Sequence, residues 1–370
     1  MALQYHTSRQ NIHITTREIT AVMSYKYISH NYRNHTSAGN KAKSDVEQIM
    51  LGEGFRNIGL TRTEHASKTA HFLFNLTGIA KATTQLRRGD ILFLQYPLKK
   101  YFTYICKAAH LHGAKVVVLI HDLGSFRRKA LTIKKELRRL GNADYIIATN
   151  KVMADHLRSV GLDKPMGSLD AWDYLTATDP IPSRINEGEI RVAYAGSVNR
   201  RKNAFLWEWG NVIRDYVVDI YGSGFRMDQV DVPEKFFAHG FVAAENIIAG
   251  MTSDYGLVWD GHSLESCEGD FGSYLALNTP HKVSLYLRAR LPIIIWSGAA
   301  MADFVTRNGI GFTVDTLDEI NARVKAVTPK EYAEMRRNVD RVAADIAAGK
   351  FFRKAAAEAI ACLEGNEPAV

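Results

Sequence analysis

Short, unbroken runs of apolar residues punctuate the first half of the chain: Ile91-Leu92-Phe93-Leu94, Val116-Val117-Val118-Leu119-Ile120 and Tyr145-Ile146-Ile147-Ala148. A strand with one wet face alternates apolar and polar positions, whereas one covered on both faces is apolar throughout. These runs therefore predict buried strands of a parallel sheet. An earlier strand is predicted at 25–29, followed by a polar turn through Asn40 and a helix over 41–51. Helical patterns over 101–112 and 132–140 separate the later strands. Strand and helix in alternation predict a doubly wound α/β sheet. The stretch 176–188, rich in Pro, Asp, Ser and Gly, interrupts the pattern and predicts a linker. Beyond it the alternation restarts, with strands predicted at 190–195, 217–221, 255–259, 293–296 and 311–314 and helices over 317–363. The whole reads as two successive Rossmann-like halves, 23–180 and 189–345. A disordered leader, 1–22, is expected before them, and a C-terminal helix, 346–370, packing back on the first half.

Composition narrows the class. With 370 residues, 46% hydrophobic and 23% charged, the chain suits two globular domains, each with its own core. Cys106, Cys267 and Cys362 are far apart and odd in number, so no disulfide framework or CxxC site is expected, which fits a reducing compartment. No apolar run approaches the roughly 18 to 20 residues that cross a bilayer, and no export signal is apparent. A cytoplasmic protein is expected. Residues 1–185 hold 27 Lys+Arg against 14 Asp+Glu, and residues 186–370 hold 20 against 25. Basic runs at Arg127-Arg128-Lys129 and Lys134-Lys135 with Arg138-Arg139 leave two readings open. They attract an anionic membrane at the inner face of the cell, or they are solvated helix faces. No aromatics interleave the basic runs and no nucleic-acid motif is present, so a nucleic-acid partner is not expected.

The segment Asn278-Thr279-Pro280-His281-Lys282 carries the sharpest chemical signal. Asn278 or Thr279 is suited to cap a helix and Pro280 to begin it, with free N–H groups and the positive dipole end facing a phosphate. A lysine in a first helical turn opposes the dipole, which makes sense if an anion sits opposite Lys282. Turns at two strand ends add to this picture: Ala195-Gly196-Ser197-Val198-Asn199-Arg200-Arg201-Lys202 and Tyr221-Gly222-Ser223-Gly224. Glycine allows close backbone approach there, and the basic residues suit a diphosphate. In the first half, Ile120-His121-Asp122-Leu123 ends a strand and places Asp122 as a base for an acceptor hydroxyl, or as a turn cap. The loop 35–40, with Gly39, is a further candidate to close over substrate, and Asp170 and Asp173 are lesser acidic candidates. No Walker, HExxH, GxSxG or Asp-x-Asp pattern occurs, so a metal-free site is expected.

Gly272-Ser273-Tyr274, Asn278 through Leu287 and Leu291-Pro292-Ile293-Ile294-Ile295-Trp296 resemble a group of bacterial GT-B glycosyltransferases. That group contains β-1,6-galactofuranosyltransferases of surface-polysaccharide synthesis and streptococcal adhesin glucosyltransferases. Ile120-His121-Asp122-Leu123, Ala195-Gly196-Ser197-Val198 and Trp172-Asp173-Tyr174-Leu175 are similar to the same family. The resemblance implies a GT-B fold with an interdomain cleft. It implies a UDP-sugar in the second domain, an acceptor glycan, free or lipid-linked, in the first, and inversion at the anomeric carbon. By position, Lys282 and Arg200 contact the diphosphate beside Gly196 and Ser197, with Gly222, Asn278 and His281 around the donor and the Gly39 turn closing over it. It also implies homodimers or homotetramers; from the residues themselves, no cofactor is expected. A rival reading is a non-catalytic UDP-sugar-binding partner of a polysaccharide-assembly complex.

Overall fold

All six residues of the run 91–96 are buried, as are the residues of the strands beside it from Val116 to Ile120 and from Tyr145 to Ala148. The computed structural model describes residues 24–29, 38–60, 67–98, 101–127, 131–180 and 188–365; the expected leader lies outside them. The first sheet comprises β1 (Tyr25–Tyr27), β2 (Arg56–Asn57), β3 (Ile91–Tyr96), β4 (Lys115–Ile120), β5 (Tyr145–Ala148) and β6 (Met166–Ser168). Its order is β2-β1-β3-β4-β5-β6, with every neighbouring pair parallel. The second comprises β7 (Arg191–Ala195), β8 (Val217–Tyr221), β9 (Phe236–Gly240), β10 (Tyr255–Val258), β11 (Ile293–Trp296) and β12 (Gly311–Val314). Its order, β12-β11-β10-β7-β8-β9, is again wholly parallel.

The second sheet has the dinucleotide-fold order, in which the first strand, β7, lies between β8 and β10. Chain direction across the sheet reverses between β7 and β10, which opens a crevice at their carboxyl ends. The first sheet reverses in the same way between β1 and β3. Three short strands, β2, β6 and β9, are absent from the pattern of apolar runs.

Two features bind the halves together. Tyr274 and Leu277 belong to the second half by sequence yet are buried in the core of the first sheet. The helix Lys350–Glu364 packs on β5 and β6, burying Phe352, Ala355, Ala356 and Ala359 in a cluster with Phe93, Ile147 and Trp172. Gly349, at φ +70°, breaks this helix from the preceding one, Pro329–Ala347. Asp173 then accepts hydrogen bonds from the Phe351 and Phe352 N–H groups at 3.2 and 2.7 Å. Asp173 is thus a cap for the last helix rather than a cleft carboxylate. Asp170, at φ +70°, accepts from the Ser168 hydroxyl at 2.7 Å.

Candidate active site

Backbone contact between two turns builds the floor of the cleft. The Gly196 N–H donates to Tyr221 O at 2.9 Å and the Val198 N–H to Ser223 O at 3.1 Å. A Cβ on Gly222 would fall 1.8 Å from Gly196 O, so no larger residue allows the two loops to meet. Asn199 follows, its side chain accepting from the Lys202 N–H at 3.0 Å and capping the short helix Arg200–Asn203. That turn swings Lys202 into the cleft. Arg200, expected at the diphosphate, instead lies over the Trp207 ring at 4.7 Å, with Gln229 3.5 Å away. A four-residue helix points its first and third side chains in different directions, and the third is the one that faces inward.

Asp260, immediately after β10, gathers the charge. Its Oδ1 lies 3.1 Å from Lys282 Nζ and 3.7 Å from Lys202 Nζ, and accepts from the Tyr194 hydroxyl at 2.9 Å. Asn203 Nδ2 in turn donates to that hydroxyl at 2.7 Å. Lys282 also lies over the Tyr194 ring at 4.3 Å. Burial pushes Lys282 down to about 8, with Lys202 adding to the effect and Asp260 opposing it. Burial raises the Asp260 carboxyl, but the two lysines outweigh it and hold the group below the usual carboxylate range. Two ammonium groups share one carboxylate, which leaves a surplus of positive charge at the crevice between β7 and β10. An anion is the natural complement.

The helix His281–Arg288 begins one residue later than the Asn278/Thr279 capping scheme requires. Pro280 is its N-cap, and no side chain caps it. Thr279 is drawn into the domain junction, where its hydroxyl donates to Thr149 O at 3.0 Å and its carbonyl accepts from Trp172 Nε1 at 2.9 Å. Asn150 Nδ2 lies 3.0 Å from both Thr279 Oγ1 and Leu277 O. Asn278 Oδ1 and His281 Nε2 are buried without a hydrogen-bond partner among the described residues. The His281 ring stacks on Tyr174 at 5.0 Å, and burial, with Lys41 adding to it, pushes its pKa down to about 3. It is neutral at any ordinary pH.

The opposite wall comes from the first domain. His121 and Asp122 follow β4, and His121 stacks on Trp172 at 4.5 Å with its Nε2 2.7 Å from Gln95 Oε1. The two walls enclose about 540 Å³. Asp122, Gly196, Ser197, Gly222, Asn278, His281 and Lys282 all line this space; Arg200 does not. Gly39 falls in the first turn of the helix Ala38–Gly52, whose Ala42 and Lys43 reach the cleft, while loop residues 35–37 lie outside the described residues. Sequence reasoning missed Asp260 and Tyr194. The signal for Asp260 was present, because a carboxylate directly after a buried strand stands at the ligand-binding edge. Among the described residues, no group of three or more His, Cys, Asp or Glu side chains could hold a metal ion.

Two Rossmann-like domains facing a cationic cleft define the GT-B glycosyltransferase fold. The models of the glucosyltransferase 3-like N-terminal and C-terminal domains match residues 25–171 and 192–359, and the chain belongs to that family. It is 29% identical over 325 residues to the β-1,6-galactofuranosyltransferase WbbI of Escherichia coli K12, covering 87% of this chain and 94% of that one. It is 23% identical over 333 residues to glucosyltransferase 3 of Streptococcus parasanguinis, covering 88% and 94%. Among solved structures, Anabaena Alr3699/HepE in complex with UDP superposes with a TM-score of 0.62 at 12% identity, covering 92% of this chain and 100% of that one. The lipopolysaccharide outer core galactosyltransferase WaaB superposes with a TM-score of 0.59 at 11% identity, covering 90% and 99%. These two likenesses concern the fold.

Proposed function

We propose that this glycosyltransferase moves a hexosyl group, galactofuranosyl in preference to glucosyl, from a UDP-sugar to a glycan acceptor of bacterial surface-polysaccharide synthesis, with inversion. The observation that carries the reading is the convergence of Lys202 and Lys282 on Asp260 beneath the Gly196 and Gly222 turns. The activities of WbbI and glucosyltransferase 3 support hexosyl transfer, and the UDP complex of the HepE fold neighbour supports a uridine diphosphate donor.

As the bond to the diphosphate breaks, negative charge accumulates on the leaving group and positive charge on the sugar ring. Fixed cations act where that charge grows, without a metal in this scheme. Lys282 and Lys202 hold the diphosphate, with Ser197 and the Gly196 backbone beside it. Asn278 and the neutral His281 offer polar atoms to the sugar. Asp122, on the opposite wall, takes the proton of the attacking hydroxyl.

Lys282→Ala is expected to keep its fold and to lose about 10²–10³-fold in transfer rate, with weaker UDP binding by calorimetry. Unchanged turnover in that variant would falsify the role of Lys282. Asp122→Asn is expected to lower the rate about 10²–10⁴-fold at unaltered UDP affinity; normal transfer would move the base elsewhere. Assays of UDP-galactofuranose against UDP-glucose, with lipid-linked and aryl glycoside acceptors, decide the sugar.

A further inference from the structure

Away from the cleft, the first domain presents a face that the transfer chemistry leaves unused. The helix Lys68–Thr83 exposes Phe72, Leu73, Phe74 and Leu76, with Leu73 at 52%. Beside it, the helix Phe102–Leu111 exposes Tyr104 at 56% and Leu111 at 86%. The end of the first helix and the outer side of the second line a shared groove of about 510 Å³, with Thr83, Tyr104, Lys107 and Leu111 among its walls. Single exposed apolar residues are ordinary on a protein surface, but a cluster on two adjacent helices marks a contact site.

Charge identifies the partner. Neither helix contains an aspartate or glutamate, while Lys68, Lys81 and Lys107 are exposed on them. Residues 65–121 contain one carboxylate, Asp90, and it is buried 2.5 Å from Lys26. Among the described residues of the two helices, this face therefore offers apolar side chains and cations and no carboxylate. A second copy of the chain docked through the same face would set like charges against each other. No helix among the described residues is long and apolar enough to cross a membrane.

We propose that this face docks on the surface of an anionic lipid bilayer. Apolar side chains enter the interface while lysines meet the headgroups. A second groove, of about 260 Å³, runs from Phe72 and Phe74 to Ser29 and Leu98 beyond the carboxyl ends of β1 and β3. That is the sheet edge on which His121 and Asp122 stand, so docking sets the acceptor wall close to the lipid. The proposal does not depend on the identity of the transferred sugar.

Co-sedimentation with vesicles tests it, using the full chain and phosphatidylcholine alone or mixed with phosphatidylglycerol. Binding is expected only with the anionic lipid, weakening as salt rises. Leu73→Glu with Leu111→Glu is expected to lower partitioning at least about tenfold, and Lys68→Gln with Lys81→Gln and Lys107→Gln roughly fivefold per lysine, both with unchanged UDP affinity and circular dichroism. Three results would overturn the proposal. One is a wild-type chain that ignores phosphatidylglycerol vesicles, and another is a double glutamate variant that binds them as well as wild type. The third is sedimentation equilibrium showing a vesicle-indifferent dimer that the glutamates dissociate, which would assign the face to a second copy.

Discussion

Lys282 stands between opposing influences: burial favours its neutral form and Asp260 favours its charged one, with a balance at about 8. A diphosphate arriving beside it favours the charged form and raises that value. Affinity for UDP, on the proposed reading, is therefore expected to be full below pH 8. Above it, binding must add a proton to a lysine that has lost one, so log Kd is expected to climb with a slope approaching one per pH unit. Calorimetry in buffers of different ionisation enthalpy checks this through proton uptake, and Lys282→Arg should flatten the profile because guanidinium stays charged. A flat profile in the wild type would remove the lysine from the anion site. At this scale the sequence was only partly legible. Lys282 was readable because a cation against a helix dipole needs a reason. Lys202 was not separable from Arg200, since the direction of a side chain in a four-residue turn depends on where the turn begins. The role of Asp260 was not legible because its partners, Lys202 and Lys282, reach it from elements distant in sequence.

Elements with long apolar runs, such as β3 and β4, were readable because burial on both faces leaves no polar positions. The strand β9 was not, since four of its five residues are exposed, which erases that signature. The helix that Asn278 or Thr279 should have capped shows tertiary contacts overriding local preference: Thr279 bonds Thr149 and Trp172 across the junction and leaves the cap to Pro280. Asp173 shows the reverse, an acidic candidate whose two acceptor oxygens serve the helix Lys350–Glu364. Asp173→Ala is expected to destabilise the protein by about 1–3 kcal/mol through two orphaned backbone donors. Chemical denaturation measures the loss, and earlier tryptic cleavage near Lys350 should accompany it. Stability equal to wild type would mean that apolar packing alone seats the helix.

On the scale of the molecule, the linker separates two sheets in sequence, but the cores interpenetrate. The Leu123 N–H donates to the Tyr274 hydroxyl at 2.9 Å, and Tyr274 sits in the first domain's apolar cluster, while the Ser284 hydroxyl donates to Trp172 O at 2.6 Å. Unfolding is expected as one cooperative calorimetric transition rather than two, and separate melting of the halves would refute this. The same architecture puts both lysines and their carboxylate on one rigid floor. If the nucleotide departs there as proposed, an electrostatic trap that eases its departure also retains it once the sugar has gone. On the proposed reading, turnover at saturating substrate is expected to be paced by escape of the spent carrier, with accumulating UDP competing against fresh donor for the same two ammonium groups.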